Sequence, residues 1–271
     1  MSIRIEVDDP DDPRLDDFRD LTRADRRPDR PGGRGLVIAE GTVVVRRLIA
    51  SDYPTRALLG VARRYDELAA DLDRLPAPFY LASAELMAAV VGFHLNRGVL
   101  AVADRAPFPD AAALLSSARS VAVLEGIGDH ENLGGIFRNA AALGIDAVLL
   151  ADGCADPLYR RSVRVSMGHV LGVPFAPLPG WVAAGTRLLH DNGFTVTALT
   201  PRPSAVPLAA AGLHTRKTAV LLGSEGPGLT DAALAAADLL VRIPMSGGVD
   251  SLNVATAGAV AFAALELGEG A

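Results

Sequence analysis

From Leu36 onward the chain alternates short apolar runs with stretches whose apolar residues recur at helical spacing. Leu36 to Ala39, Arg56 to Val61, Phe79 to Ala82 and Val99 to Ala103 read as strands. Helices are predicted from about Thr42 to Ala50, Arg63 to Leu72 and Ala84 to Val91. A second series follows, with strands at Val121 to Leu124, Ala147 to Leu150, Phe194 to Leu199, Ala219 to Leu222 and Leu240 to Ile243. Its helices run from about Leu133 to Leu143 and from about Ser251 to Leu267. Buried strands separated by helices predict an α/β fold, a mostly parallel sheet covered on both faces whose ligands gather at the carboxyl ends of the strands. Residues 105–119, with Pro107 and Pro109 and a short helical stretch from Ala111, read as a linker between a smaller N-terminal α/β domain (35–104) and a C-terminal domain (120–271). Residues 1–34, crowded with Asp and Arg, read as a tail with partial helix.

Composition narrows the picture. Hydrophobic residues make up 50% of the 271, enough for two modest cores, and the net charge of −6 argues against a broad nonspecific nucleic-acid surface while leaving room for a local basic groove. Lys217 is the sole lysine, so nearly all positive charge is arginine, a bias that genome composition explains as readily as a need for planar phosphate clamps. A lone cysteine, Cys154, excludes an internal disulfide, and His94, His130, His169, His190 and His214 are scattered without metal-ligand spacing, so no metal is expected. With no leader-like N-terminus and no apolar span of roughly 18 residues, the expectation is a cytoplasmic protein without a membrane segment.

Chemistry concentrates in segments that follow the strands at 121–124, 219–222 and 240–243. The last, Ile243-Pro244-Met245-Ser246-Gly247-Gly248-Val249-Asp250-Ser251-Leu252-Asn253-Val254, carries an apolar strand end into Pro and two glycines. Small polar side chains then open an Ala-rich helix, a setting for a polar ligand beside apolar walls. In Glu131-Asn132-Leu133-Gly134-Gly135-Ile136-Phe137-Arg138-Asn139, Asn132 can cap a helix that Gly144 stops. Arg138 can lean back toward that helix start to meet a phosphate or oxyanion, although a solvated arginine would explain it equally. Leu222-Gly223-Ser224-Glu225-Gly226-Pro227-Gly228-Leu229-Thr230 is a glycine-punctuated turn before a helix that Thr230 or Asp231 would cap. It matches neither the dinucleotide fingerprint nor the phosphate loop.

In order and spacing the three segments resemble the signature motifs of the SpoU/TrmH branch of the SPOUT superfamily, the knotted RNA ribose 2′-O-methyltransferases that use S-adenosylmethionine. The resemblance runs from about Ser120 to the C-terminus. Residues 36–104 are similar to that family's N-terminal substrate-binding domain through Ala39-Glu40-Gly41 and Gly92-Phe93-His94-Leu95-Asn96-Arg97-Gly98. It implies a trefoil-knotted C-terminal domain acting as a homodimer. It also implies Asn132, Arg138, Glu225, Ser251 and Asn253 as catalytic positions, with Leu222, Gly223, Glu225, Gly226, Ile243, Met245 and Leu252 around S-adenosylmethionine. Arg160, Arg161 and Arg164, with Arg97, are the RNA-binding candidates, while the sparse aromatics, Trp181 and Phe194 among them, read as core. Ala255 departs from the pattern, standing where a serine is common. The implied substrate is structured RNA, with ribosomal RNA favoured over transfer RNA because of the N-terminal domain. The alternative is a noncatalytic RNA-binding or ribosome-assembly factor that retains the fold, against which the five intact polar positions argue.

Overall fold

The computed structural model describes residues 2–266; the predicted end of the last helix at Leu267 lies outside the described residues. The chain divides into two compact units, one of residues 1–107 with 156–172 and the other of 108–155 with 173–271. The segment 156–172, which the sequence assigns to the C-terminal domain, therefore folds with the N-terminal unit.

In the first unit, strands β1 (Arg4–Glu6), β2 (Val37–Glu40), β3 (Thr55–Gly60), β4 (Phe79–Leu81) and β5 (Val99–Ala103) form a sheet in the order β1-β4-β3-β5-β2. β1 and β3 run parallel to β4, and β5 is antiparallel to β2 and β3. Residues 1–34 are therefore no tail. β1 completes the sheet edge, and Leu15, Phe18, Leu21 and Ala24 are buried against Ile38, Leu59 and Leu100. Those apolar residues recur at three-residue intervals, and their burial outweighs the solvation of the aspartates between them, which stay on the outside.

The second unit carries β6 (Ser120–Glu125), β7 (Ala147–Leu150), β8 (Phe175–Pro177), β9 (Thr195–Leu199), β10 (Val206–Pro207), β11 (Thr218–Gly223) and β12 (Leu239–Arg242). They form an all-parallel sheet in the order β10-β12-β9-β11-β6-β7-β8. Every residue of β6 is buried, as expected of a central parallel strand covered on both faces. Val121, Val123 and Leu221 pack on one side with Leu189 and Ala233 of the helices Ala183–Asp191 and Asp231–Ala236. On the other side, Leu222 meets the helix Val254–Glu266, where a Cβ on Gly258 would lie 3.1 Å from the Leu222 Cδ1. The helix Ala111–Ser117 also belongs to this unit and buries Leu115 in its core, so the stretch read as a linker includes a packed element.

Two predicted helix starts are corrected. The first-motif helix is His130–Ala142, and its cap is Asp129, whose side chain accepts from the N–H groups of Glu131 and Asn132 at 2.7 and 3.0 Å. Asn132 thus sits inside the first turn. The last helix begins at Val254 rather than Ser251 and is capped by Asn253, whose Oδ1 accepts from the N–H groups of Ala255 and Thr256 at 3.0 and 3.2 Å. Gly144, with φ of +66°, ends the first-motif helix as the sequence suggested, and Thr230 caps the helix Asp231–Ala236.

Candidate active site

Parallel pairing places Gly223 of β11 directly beside Glu125 of β6, so the ends of two central strands open at one edge of the sheet. A cavity of about 1440 Å3 lies there, bounded by the ends of β6, β9 and β11 and by the loops after β11 and β12. Its apolar wall includes Leu199, Leu222, Leu229, Ile243 and Val254, and its polar lining includes Thr200, Ser224, Ser251 and Asn253. Apolar enclosure with a few convergent polar groups is the usual form of a small-molecule site.

The loop after β11 owes its shape to glycine. A Cβ on Gly223 would lie 2.2 Å from the backbone nitrogen of Leu229, so only hydrogen fits where the loop folds back over the strand end. Ser224 and Gly228 close that fold, the Gly228 N–H donating to the Ser224 carbonyl at 3.0 Å and the Ser224 hydroxyl donating to the Gly228 carbonyl at 3.3 Å. Glu225 is exposed at the tip.

Beneath this loop is a residue that sequence reasoning missed. Glu125, only 9% exposed, accepts from the Trp181 indole N–H at 2.9 Å, the Thr230 N–H at 2.9 Å and the Thr230 hydroxyl at 2.9 Å. One carboxylate thereby ties the end of β6 to the start of the helix Asp231–Ala236 and to the Trp181 segment. Buried charge is tolerated when hydrogen bonds replace its water, and three charge-assisted donors do so here. Trp181, read as core, is half-buried and lines the cavity.

The loop after β12 is open. Among the described residues, the backbone hydrogen bond within Met245–Leu252 is the weak one from the Val249 N–H to the Ser246 carbonyl at 3.4 Å, which leaves other main-chain groups available to a ligand. At its end the Asn253 Nδ2 donates to the Asn132 Oδ1 at 2.7 Å, so two side chains far apart in sequence meet. The helices behind them pack closely: a Cβ on Gly135 would approach that of Ala255 to 3.0 Å, and the Asn139 Nδ2 donates to the Ala255 carbonyl at 2.8 Å.

The cavity lining contains Leu222, Gly223, Glu225, Gly226, Ile243, Met245, Ser251, Leu252 and Asn253. Asn132 joins through its hydrogen bond to Asn253. Arg138 does not line the cavity; it is exposed on its helix and makes no hydrogen bond or ion pair among the described residues. Besides Glu125 and Trp181, Asp152, Thr200 and Arg202 also line the cavity without having been expected there. The cap at Asp129 had a signal, an acidic residue just ahead of Glu131 in a first turn. Strand-end residues such as Glu125 and Asp152 had none.

Next to this wall, Cys154 donates its thiol to the Leu124 carbonyl at 3.1 Å. Burial raises its pKa above the usual thiol value, and the nearby negative charges of Glu125 and Asp152 add to the shift.

The candidate RNA-contacting arginines fall in the first unit. Arg161, Arg164 and Arg97 are exposed, whereas Arg160 is half-buried with its guanidinium 4.8 Å from the Phe93 ring centre. The backbone N–H of Arg160 donates at 2.8 Å to Asp25, a fully buried carboxylate whose other oxygen has no partner. Desolvation raises the Asp25 pKa above the ordinary aspartate range. No helix among the described residues is long and apolar enough to cross a membrane.

Comparison with known proteins places these features in a family. The chain is 58% identical over 95% of its length to an uncharacterized tRNA/rRNA methyltransferase of Mycobacterium tuberculosis, covering 90% of that protein. It is 33% identical over 54% of its length to a 23S rRNA (guanosine(2553)-2′-O)-methyltransferase of Bacillus subtilis, covering 57% of that protein. Its fold matches an AdoMet-bound rRNA methyltransferase of Sinorhizobium meliloti with a TM-score of 0.81, at 23% identity and 97% coverage of both chains. The SpoU methyltransferase AviRb of Streptomyces viridochromogenes, in complex with AdoMet, matches with a TM-score of 0.77 at 21% identity, covering 94% of this chain and 97% of that one. The model of the SpoU rRNA Methylase family matches residues 119–263, the span that holds all three strand-end segments, and the chain belongs to that family.

Proposed function

We propose that this protein is an S-adenosylmethionine-dependent RNA methyltransferase that acts on a ribose 2′-hydroxyl of structured RNA, ribosomal in preference to transfer RNA. The observation that carries the reading is the convergence of the loops after β11 and β12 on one cavity, with Asn132 joined to it through Asn253. The fit to the methyl donor rests on the same lining: apolar side chains for an adenine ring, uncommitted main-chain groups in Met245–Leu252 for its polar edge, and hydroxyl groups for ribose. Leu222, Gly223, Glu225, Gly226, Ile243, Met245 and Leu252 are the residues that would hold it. Bound there, it supplies a methyl group on a positively charged sulfonium.

A ribose hydroxyl is a weak nucleophile until aligned and relieved of its proton, and alignment accounts for much of the rate. Ser251 and Asn253 orient the hydroxyl through hydrogen bonds, and Asn132 fixes the Asn253 amide. Arg138, always a cation, is not a base; from its exposed position it receives the RNA phosphate next to the target ribose and stabilises developing negative charge on the oxygen. Glu225 or water takes the proton. The strand order β12-β9-β11-β6, in which β11 inserts between β6 and β9 before the chain passes β9 to reach β12, supports a trefoil-knotted path. A homodimer through the C-terminal unit and a cytoplasmic location belong to the same reading, as does RNA contact by Arg97, Arg160, Arg161 and Arg164.

Calorimetric titration with S-adenosylmethionine, followed by mapping of 2′-O-methyl sites on ribosomal RNA with and without the protein, tests the proposal. Arg138→Ala should abolish methylation while donor affinity stays within about twofold of wild type. Full activity in that variant rejects the role of Arg138. A protein that binds RNA and not the donor is instead a noncatalytic factor.

A further inference from the structure

Charge in the cavity is one-sided. Its lining holds Glu125, Asp152, Glu225 and Asp231 against a single cation, Arg202. Arg202 pairs with Asp231 at 2.7 Å, and Glu125 is occupied by its three donors. Asp152 and Glu225 remain, both exposed to the cavity and neither with a side-chain hydrogen bond or ion pair among the described residues. The position of Asp152 is built by its neighbours. Its carbonyl accepts from the Gly126 N–H at 3.1 Å, and the next residue, Gly153, has φ of +81° and passes so near that a Cβ would lie 3.3 Å from the Gly126 Cα. The end of β7 is thus pinned to the end of β6, which keeps the Asp152 carboxylate on the cavity wall.

We infer that Asp152, seconded by Glu225, makes the cavity selective for the cationic methyl donor over the neutral thioether left after transfer. This inference rests on the methyl-donor reading above. In the transfer a C–S bond breaks and a C–O bond forms; the sulfur keeps the electron pair and loses its charge, and the hydroxyl proton leaves to Glu225 or water. Donor and product therefore share nearly all their shape and differ by one positive charge. Apolar walls bind the two alike, so discrimination has to come from electrostatics, and the unpaired carboxylates supply it. The functional gain is reduced product inhibition: the site attracts what it is about to consume and releases what it has made.

The test is a pair of dissociation constants, for S-adenosylmethionine and for S-adenosylhomocysteine, measured by calorimetry on the full chain and its Asp152→Asn variant. The substitution keeps size and hydrogen-bonding capacity and removes charge. The expected result is a roughly three- to tenfold loss of affinity for the donor, the range given by a partly screened pair of unit charges, with the product changed less than about twofold. Raising salt should shrink the wild-type preference for the donor in the same way. Equal weakening of both ligands, or no change in either, overturns the inference. If the wild-type chain binds neither ligand, the methyl-donor reading itself has failed. A ligand-free measurement runs alongside: alkylation of Cys154, the sole thiol in the chain, should shift to lower pH in Asp152→Asn, and an unchanged profile would refute the charge argument.

Discussion

Replacing Asn253 separates two jobs done by one side chain. Asn253→Ala removes the cap on the helix Val254–Glu266, where Oδ1 accepts from two backbone N–H groups, and also the bridge in which Nδ2 donates to Asn132. Loss of the cap costs about 1 kcal/mol, and loss of a neutral, solvent-accessible hydrogen bond costs about 0.5 kcal/mol, so the variant should be less stable by about 1.5 kcal/mol. Asn253→Asp behaves differently. A carboxylate still accepts from Ala255 and Thr256, and its charge gains about 0.5 kcal/mol from the helix N-terminus, which offsets the lost bridge and leaves stability near wild type. It has no donor for the Asn132 Oδ1, so contact is kept only when the Asn132 amide turns over to donate its own Nδ2, which reverses the bridge and redirects the Asn132 oxygen. Urea denaturation followed by circular dichroism reads the stability, and methyl transfer to RNA reads the site. Asn253→Asp should retain the wild-type midpoint and lose at least about tenfold in rate, about 1.4 kcal/mol of transition-state stabilisation. If it is as unstable as Asn253→Ala, the side chain is not acting as a cap. If it is fully active, the Nδ2 donor at position 253 is dispensable and its part in the site has been misread.

Three further outcomes follow from the geometry. Gly223→Ala forces a methyl group into the Leu229 backbone, and a loss of about 3 kcal/mol in unfolding free energy, together with loss of donor binding by calorimetry, is expected. Asp25 has a raised pKa in the folded protein, so it binds its proton more tightly folded than unfolded. Its contribution to stability is greatest at low pH and declines as pH rises above about 3.8. Thermal melts of Asp25→Asn should therefore gain on wild type as pH is raised from that point toward neutrality, and a pH-independent difference would contradict the burial argument. Replacing Arg161 and Arg164 together with alanine should weaken RNA binding and flatten the plot of log affinity against log salt by about 1.5 units, measured by filter binding across salt concentrations.

The strands and motifs were legible because central parallel strands carry unbroken apolar runs and because glycine turns and caps leave marks in sequence. Thr230 and Gly144 announce themselves by residue type. Asn253 and Asn132 show how far such marks reach: both are cap-forming types, but only the folded backbone decides which has the cap geometry, and Asp129 took that role from Asn132. The N-terminal segment was misread because local charge density is visible and long-range burial is not; Phe18 becomes core when Tyr80 comes to lie beside it, their ring centres 6.4 Å apart. Glu125 and Asp152 were silent for a related reason. Each is an acidic residue at the end of an apolar run, and its meaning comes from the neighbouring strand ends.

The tight crossing of Gly135 over Ala255 explains why position 135 is bare: a Cβ there would lie 3.0 Å from that of Ala255. Any side chain added at 135 has to find room at the expense of the spacing that lets Asn132 and Asn253 touch. A residue with no side chain of its own thereby sets the distance at which two polar groups from separate stretches of chain can meet.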